Sequence, residues 1–89
     1  MIARRLVVFG RVQGVNFRAW AREVAVRRDV TGWAANQADG SVEVWLQGDA
    51  EAVAAVERAV GEGPPGARVE RVEAADAGVR EGLSGFARR

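Results

Sequence analysis

Leu6-Val-Val-Phe-Gly-Arg-Val-Gln-Gly-Val-Asn-Phe-Arg18 is the stretch from which the rest of the chain can be read. The apolar run Leu6 to Phe9 belongs to a strand from about Ala3 to Arg11. Leu6, Val8 and Val12 share one parity, with Arg5, Val7, Phe9 and Arg11 on the other. From Phe17 the period changes. Phe17, Trp20, Ala21 and Val24 recur at i, i+3, i+4 and i+7, which predicts an amphipathic helix to about Arg28 with Trp20 in the core. A strand thus ends in a loop containing Gly10 and Gly14 that opens directly into a helix. Such a junction gathers helix N-terminal N–H groups that lack internal partners, and the macrodipole places partial positive charge there. A small anion suits that point, and Arg18 in the first turn adds a guanidinium able to grip two oxygens at once. The residues alone leave a second reading open: the glycines merely shape a tight turn and Arg18 is solvated.

The helix is expected to stop near Asp29, because Thr31-Gly32 breaks its pattern. A strand over Thr31 to Asn36 follows, then Asp39-Gly40 as a hairpin turn. Ser41 to Gln47 alternates Val42, Val44 and Leu46 against Glu43, Trp45 and Gln47, the signature of a half-buried strand. Asp49 is placed as an N-cap, with Glu51 complementing the dipole. Val53, Val56 and Val60 supply the second helix's apolar face, and Gly61 its stop. Residues 67–74 read as a fourth strand whose Val69 and Val72 differ in parity, which implies a bulge or an edge position. Gly78 to Gly85 reads as a polar, mobile connection, and Phe86 begins a short terminal edge strand. The order βαββαβ plus a C-terminal strand is an α+β, ferredoxin-like split βαβ sandwich, with both helices on one face of an antiparallel sheet. The whole of 1–89 is read as a single domain. In this topology the strands joined by the first helix are expected side by side, bringing the Gly10–Phe17 loop toward Asn36.

Composition restricts the chemistry. The 89 residues contain no Cys, so thiolate catalysis and thiolate metal sites are excluded. His is absent, and all 13 basic side chains are Arg, so neither an imidazole base nor a Schiff-base lysine exists. No apolar run approaches the roughly 20 residues that span a bilayer, and no signal-peptide pattern opens the chain. A cytoplasmic protein without membrane contact is therefore expected. Net charge is only +1, but residues 1–45 carry seven Arg against Glu23, Asp29, Asp39 and Glu43, and the second half is net acidic. That field favours a small anionic substrate over a nucleic-acid duplex.

Asn36 is the second residue of interest. Its carboxamide both donates and accepts, as is needed to hold a water in line with a bound phosphorus; alternatively it merely flanks a hairpin. Gly10-Arg-Val-Gln-Gly-Val-Asn-Phe-Arg18 resembles the acylphosphatase signature G-x-V-Q-G-V-x-F-R. Gly32-Trp-Ala-Ala-Asn36 followed by Asp39-Gly-Ser-Val-Glu43 is similar to that family's second block, in the right order and at the usual separation. The resemblance implies hydrolysis of the carboxyl–phosphate anhydride of a small-molecule acyl phosphate, without cofactor or metal. It makes Arg18 the phosphate-binding arginine and Asn36 the residue that orients water. The amides of Gln13, Gly14, Val15, Asn16 and Phe17 become the phosphate cradle. A monomer with no nucleic-acid partner is expected. The segment Val26 to Val30, with Arg27-Arg28-Asp29, departs from the family's more apolar turn. The rival expectation is a non-catalytic anion- or RNA-binding module on the same fold, with Phe9, Trp33 and Trp45 as candidate stacking residues.

Overall fold

The period-2 run around Leu6 forms strand β1, Ile2–Arg11, in a computed structural model that describes all 89 residues. Helix α1 is Phe17–Arg27, β2 is Thr31–Asn36 and β3 is Val42–Gly48. Helix α2 covers Ala50–Glu62, β4 Arg68–Ala77 and β5 Phe86–Arg88. The five strands make one sheet in the order β4-β1-β3-β2-β5, antiparallel except for the parallel β2–β5 pair. Leu6, Val8, Val42, Val44 and Leu46 are fully buried on the helix side, against Phe17, Ala21, Ala25, Val53, Val56 and Val60. Each of the Leu, Val and Phe side chains contributes on the order of 1.5–3 kcal/mol of burial. No helix is long and apolar enough to cross a membrane.

Strands β1 and β2 do not lie side by side, contrary to the expectation above: β3 separates them. The loop and Asn36 still meet, because two antiparallel steps leave β1 and β2 running the same way. Val8 pairs with Val42, and Val42 with Asn36, so both C-terminal ends reach one edge of the sandwich. The parity conflict in β4 is resolved by a bulge. Phe9 faces Arg71 but Gly10 faces Val69, leaving Glu70 extra, and both Val69 and Val72 then pack on the core. Gly10 is required there, since a Cβ would lie 2.1 Å from Arg68 O. Helix α2 stops two residues later than expected, with Gly63 rather than Gly61 as its C-cap.

The other sheet face is closed by aromatics. Trp33 and Trp45 stack at 4.9 Å and 11°, both nearly buried, and the guanidinium of Arg80 lies over both rings. Gln47 clamps Arg80 at both backbone atoms, donating to its O at 2.8 Å and accepting from its N–H at 2.9 Å. The 78–85 connection is therefore a strap tied to the sheet, where the sequence suggested a mobile segment. Arg71 covers Phe9 and Arg89 covers Trp33. No candidate stacking residue presents a free ring face of the kind an RNA-binding sheet uses. Trp20 is only half-buried, set edge-on to Phe17.

Candidate active site

Two left-handed residues shape the loop between β1 and α1. Gly14 has φ 74°, and Asn16 has φ 64° and ψ 26°. Glycine adopts that conformation freely, and Asn is among the few other residues that do so readily. Val15 between them keeps a negative φ, and alternation of this kind is the backbone pattern of anion-binding nests. Asn16 is also the N-cap of α1, yet its side chain makes no capping hydrogen bond and the first turn carries no acid. Trp20 is the first residue of the helix to donate to a backbone acceptor, Asn16 O at 3.1 Å. The amides before it remain available at the positive end of the dipole.

Gly14 and Asn16 of this loop line a cleft of about 220 Å³ that also takes in Phe17, Arg18, Asn36 and Arg88. Arg18, half-buried on the first turn of α1, donates from Nη1 to Arg89 O at 2.9 Å. Asn36 enters from the end of β2 and is exposed. Of the loop positions expected to form the cradle, Gly14, Asn16, Phe17 and Arg18 line the cleft, whereas Gln13 and Val15 stand outside it. Val15 packs on the core. The Gln13 carboxamide turns to the β2–β3 hairpin, its Nε2 donating to Gln37 O at 2.8 Å and Ser41 O at 2.9 Å. The hairpin is itself braced: Asp39 accepts from the Ser41 hydroxyl at 2.6 Å and the Ser41 N–H at 2.9 Å. Those hydrogen bonds, the hydroxyl's first, hold the Asp39 carboxyl below its ordinary pKa.

Of the cleft residues that sequence reading missed, Val12, Ala19 and Arg88, only Arg88 is charged. It shares its strand face with buried Phe86 and is aligned with Ala34 on β2, two residues before Asn36. Arg22 ties β5 to α1 by donating to Phe86 O at 3.1 Å. A three-residue strand carries too little periodicity to announce this. The cleft is thus lined by two arginines and by no Asp or Glu. A larger groove of about 560 Å³ lies between α2 and β4, but its Arg4 is engaged by Glu57 at 2.9 Å and Asp76 at 2.8 Å. Nowhere do three carboxylates converge, so no residue set is assigned to a metal.

A ferredoxin-like sandwich whose strand–loop–helix junction opens on an arginine-lined cleft is a class of domain suited to a small anion. Comparison narrows that class. The acylphosphatase family model matches residues 4–88, and the chain belongs to that family. It is 49% identical over 72 residues to an acylphosphatase of Alcanivorax borkumensis, covering 81% of this chain and 78% of that one. An acylphosphatase of Azorhizobium caulinodans is 46% identical over 81 residues, covering 91% and 87%. The crystal structure of acylphosphatase from Bacillus subtilis superimposes with a TM-score of 0.95 at 34% identity, over 100% of this chain and 99% of that one.

Proposed function

We propose that this acylphosphatase-family enzyme hydrolyses acyl phosphates in the cleft between the β1–α1 loop and the end of β2. Arg18 and the amides of Gly14, Asn16 and Phe17 hold the phosphate, and Arg88 adds a second positive charge at the rim. Asn36 aims a water at phosphorus from the side opposite the acyl group. A bond forms from water oxygen to phosphorus as the bond from phosphorus to the acyl oxygen breaks, and the electron pair leaves on the carboxylate. That leaving group is stable as an anion, so no protein acid has to protonate it. A carboxamide is no base, so the water proton passes to a phosphate oxygen of the substrate. Phosphoryl transfer of this kind depends on positioning and charge stabilisation, which this residue set can supply.

The observation that carries the reading is that Arg18, Asn36 and the left-handed Gly14–Asn16 loop share one cleft lined by no Asp or Glu. The experiment is release of inorganic phosphate from acetyl phosphate by purified protein in the presence of a chelator. Turnover is expected to persist. Arg18→Ala should lose several kcal/mol of transition-state stabilisation and also weaken inhibition by inorganic phosphate. Asn36→Ala should lower kcat while leaving phosphate inhibition nearly intact. An Asn36→Ala enzyme that lost phosphate binding but kept its rate would reverse these two roles.

A further inference from the structure

We infer that the Gln13 side chain is a positioning residue that fixes Asn36 relative to the phosphate cradle. The inference rests on the roles proposed above for the cradle and for Asn36. Past the Val8–Val42 pair the β1–β3 ladder has ended, so the loop is no longer held to the hairpin by strand pairing. Gln13, immediately before the left-handed Gly14, bridges that gap with its Nε2. A carboxamide nitrogen carries two hydrogens. Both are used, on Gln37 O at 2.8 Å and Ser41 O at 2.9 Å.

The two acceptors bracket the residue that matters. Gln37 follows Asn36 directly, and Ser41 precedes Val42, the cross-strand partner of Asn36. Each carbonyl also accepts a bond within the hairpin: Gln37 O from the Gly40 N–H at 3.1 Å, and Ser41 O from the Gln37 N–H at 2.9 Å. With two lone pairs apiece, both oxygens are saturated. The pair of oxygens therefore takes both donors of Gln13 and has room for no further donor. The Gln13 side chain is spent on the hairpin and does not line the cleft, so its influence on the reaction runs through where it holds Asn36.

Gln13→Met keeps the length and removes both donors. It should lower kcat by about tenfold, since mispositioning of about 1 Å costs up to ~10²-fold, while inhibition by inorganic phosphate stays within about twofold. In an Asn36→Ala background the same change should add little, because the group it positions is gone. Losses that multiply in the double variant, or a Gln13→Met kcat equal to the parent's, would overturn the inference. If Asn36→Ala alone leaves kcat unchanged, the fault lies in the role given to Asn36. Gln13→Glu supplies a test that survives poor folding of the first variant. Its carboxylate faces two carbonyl oxygens, so its kcat relative to the parent should rise as pH falls and the acid regains one donor. A ratio flat with pH would count against the clamp, as would loss of phosphate inhibition in step with kcat.

Discussion

The two helices of this sandwich begin in opposite ways. At α2 the Asp49 carboxylate accepts from the N–H groups of Glu51 and Ala52, at 3.2 and 3.4 Å, and Glu51 sets a negative charge in the first turn. At α1 the capping residue is left-handed Asn16, its side chain caps nothing, the first turn has no acid, and Arg18 stands there instead. The side-chain cap and the first-turn acid are both present at one and both missing at the other. A cap is worth about 1 kcal/mol, and a complementary first-turn charge about 0.3–1 kcal/mol. The start of α1 forgoes both, and its amides stay free for a ligand that supplies the negative charge. The contrast separates a helix end that serves the fold from one that serves the site.

Converting the α1 end into a copy of the α2 end is the strongest way to break this contrast. Asn16→Asp keeps a residue that tolerates the left-handed region and sets a carboxylate among the free amides. Two like charges about 4 Å apart repel by about 1 kcal/mol in water and about 4 kcal/mol at a partly buried protein site. Inhibition by inorganic phosphate should therefore weaken by tenfold or more, and kcat/KM for acetyl phosphate should fall with it. Thermal stability should hold or rise. Unchanged phosphate inhibition would mean that these amides do not hold the anion.

The reverse operation at α2 has a smaller effect and a different kind. Asp49→Ala should reduce unfolding free energy by about 1 kcal/mol in urea denaturation, with kcat and KM for acetyl phosphate unchanged. The site stands on α1, β2 and β5, and α2 contributes no residue to it. A loss of turnover comparable to that of Asn16→Asp would abolish the distinction between the two ends.

Much of this architecture was legible because local patterns and tertiary packing agree. The alternation of Val42, Val44 and Leu46, the cap at Asp49 and the period of Phe17 and Ala21 each specify one element, and each is buried or bonded as its pattern implies. The loop and Asn36 were legible through the resemblance of Gly10–Arg18 and Gly32–Glu43 to two family motifs, since the residues alone left a tight turn and a hairpin flank open. What escaped reading depends on contacts distant in sequence. The insertion of β3 between β1 and β2 is a choice of sheet order that no single strand records. Arg88 reaches the cleft through a strand too short to show a period. The outward-facing Gln13 carboxamide looks like any solvated side chain until the hairpin carbonyls are placed opposite it. Gly78 to Gly85 has the composition of a free loop, and only the Gln47 side chain and the stacked tryptophans hold it down.

The α1 mouth is lined by no Asp or Glu, whereas the strands behind Asn36 are braced by one, and that difference should appear as a difference in pH response. Glu43 accepts from Trp33 Nε1 at 2.9 Å and from Arg5 Nε at 2.7 Å, directly across from Ala35 beside the site. Burial pushes its carboxyl pKa up, but the Trp33 and Arg5 hydrogen bonds together outweigh it, so the folded value lies below the ordinary one. A carboxyl with a lowered folded pKa stabilises fully above its unfolded pKa and loses that contribution as pH falls through the folded value. Arg5 is nearly half exposed, at 46%, so the charge contributes less than about 1 kcal/mol. Glu43→Gln should therefore lower the melting temperature slightly and by a constant amount from neutral pH down to the ordinary carboxylate range. Below that range the parent and variant should converge, because the parent's Glu43 is then neutral too. Phosphate inhibition near neutrality should not differ between them, since the anion is held at the α1 end. A gap that widens on acidification would mean that Glu43 is stabilised folded in its protonated form, and the bracing of β2 and β3 would then have to be assigned to the Trp33–Trp45 stack alone.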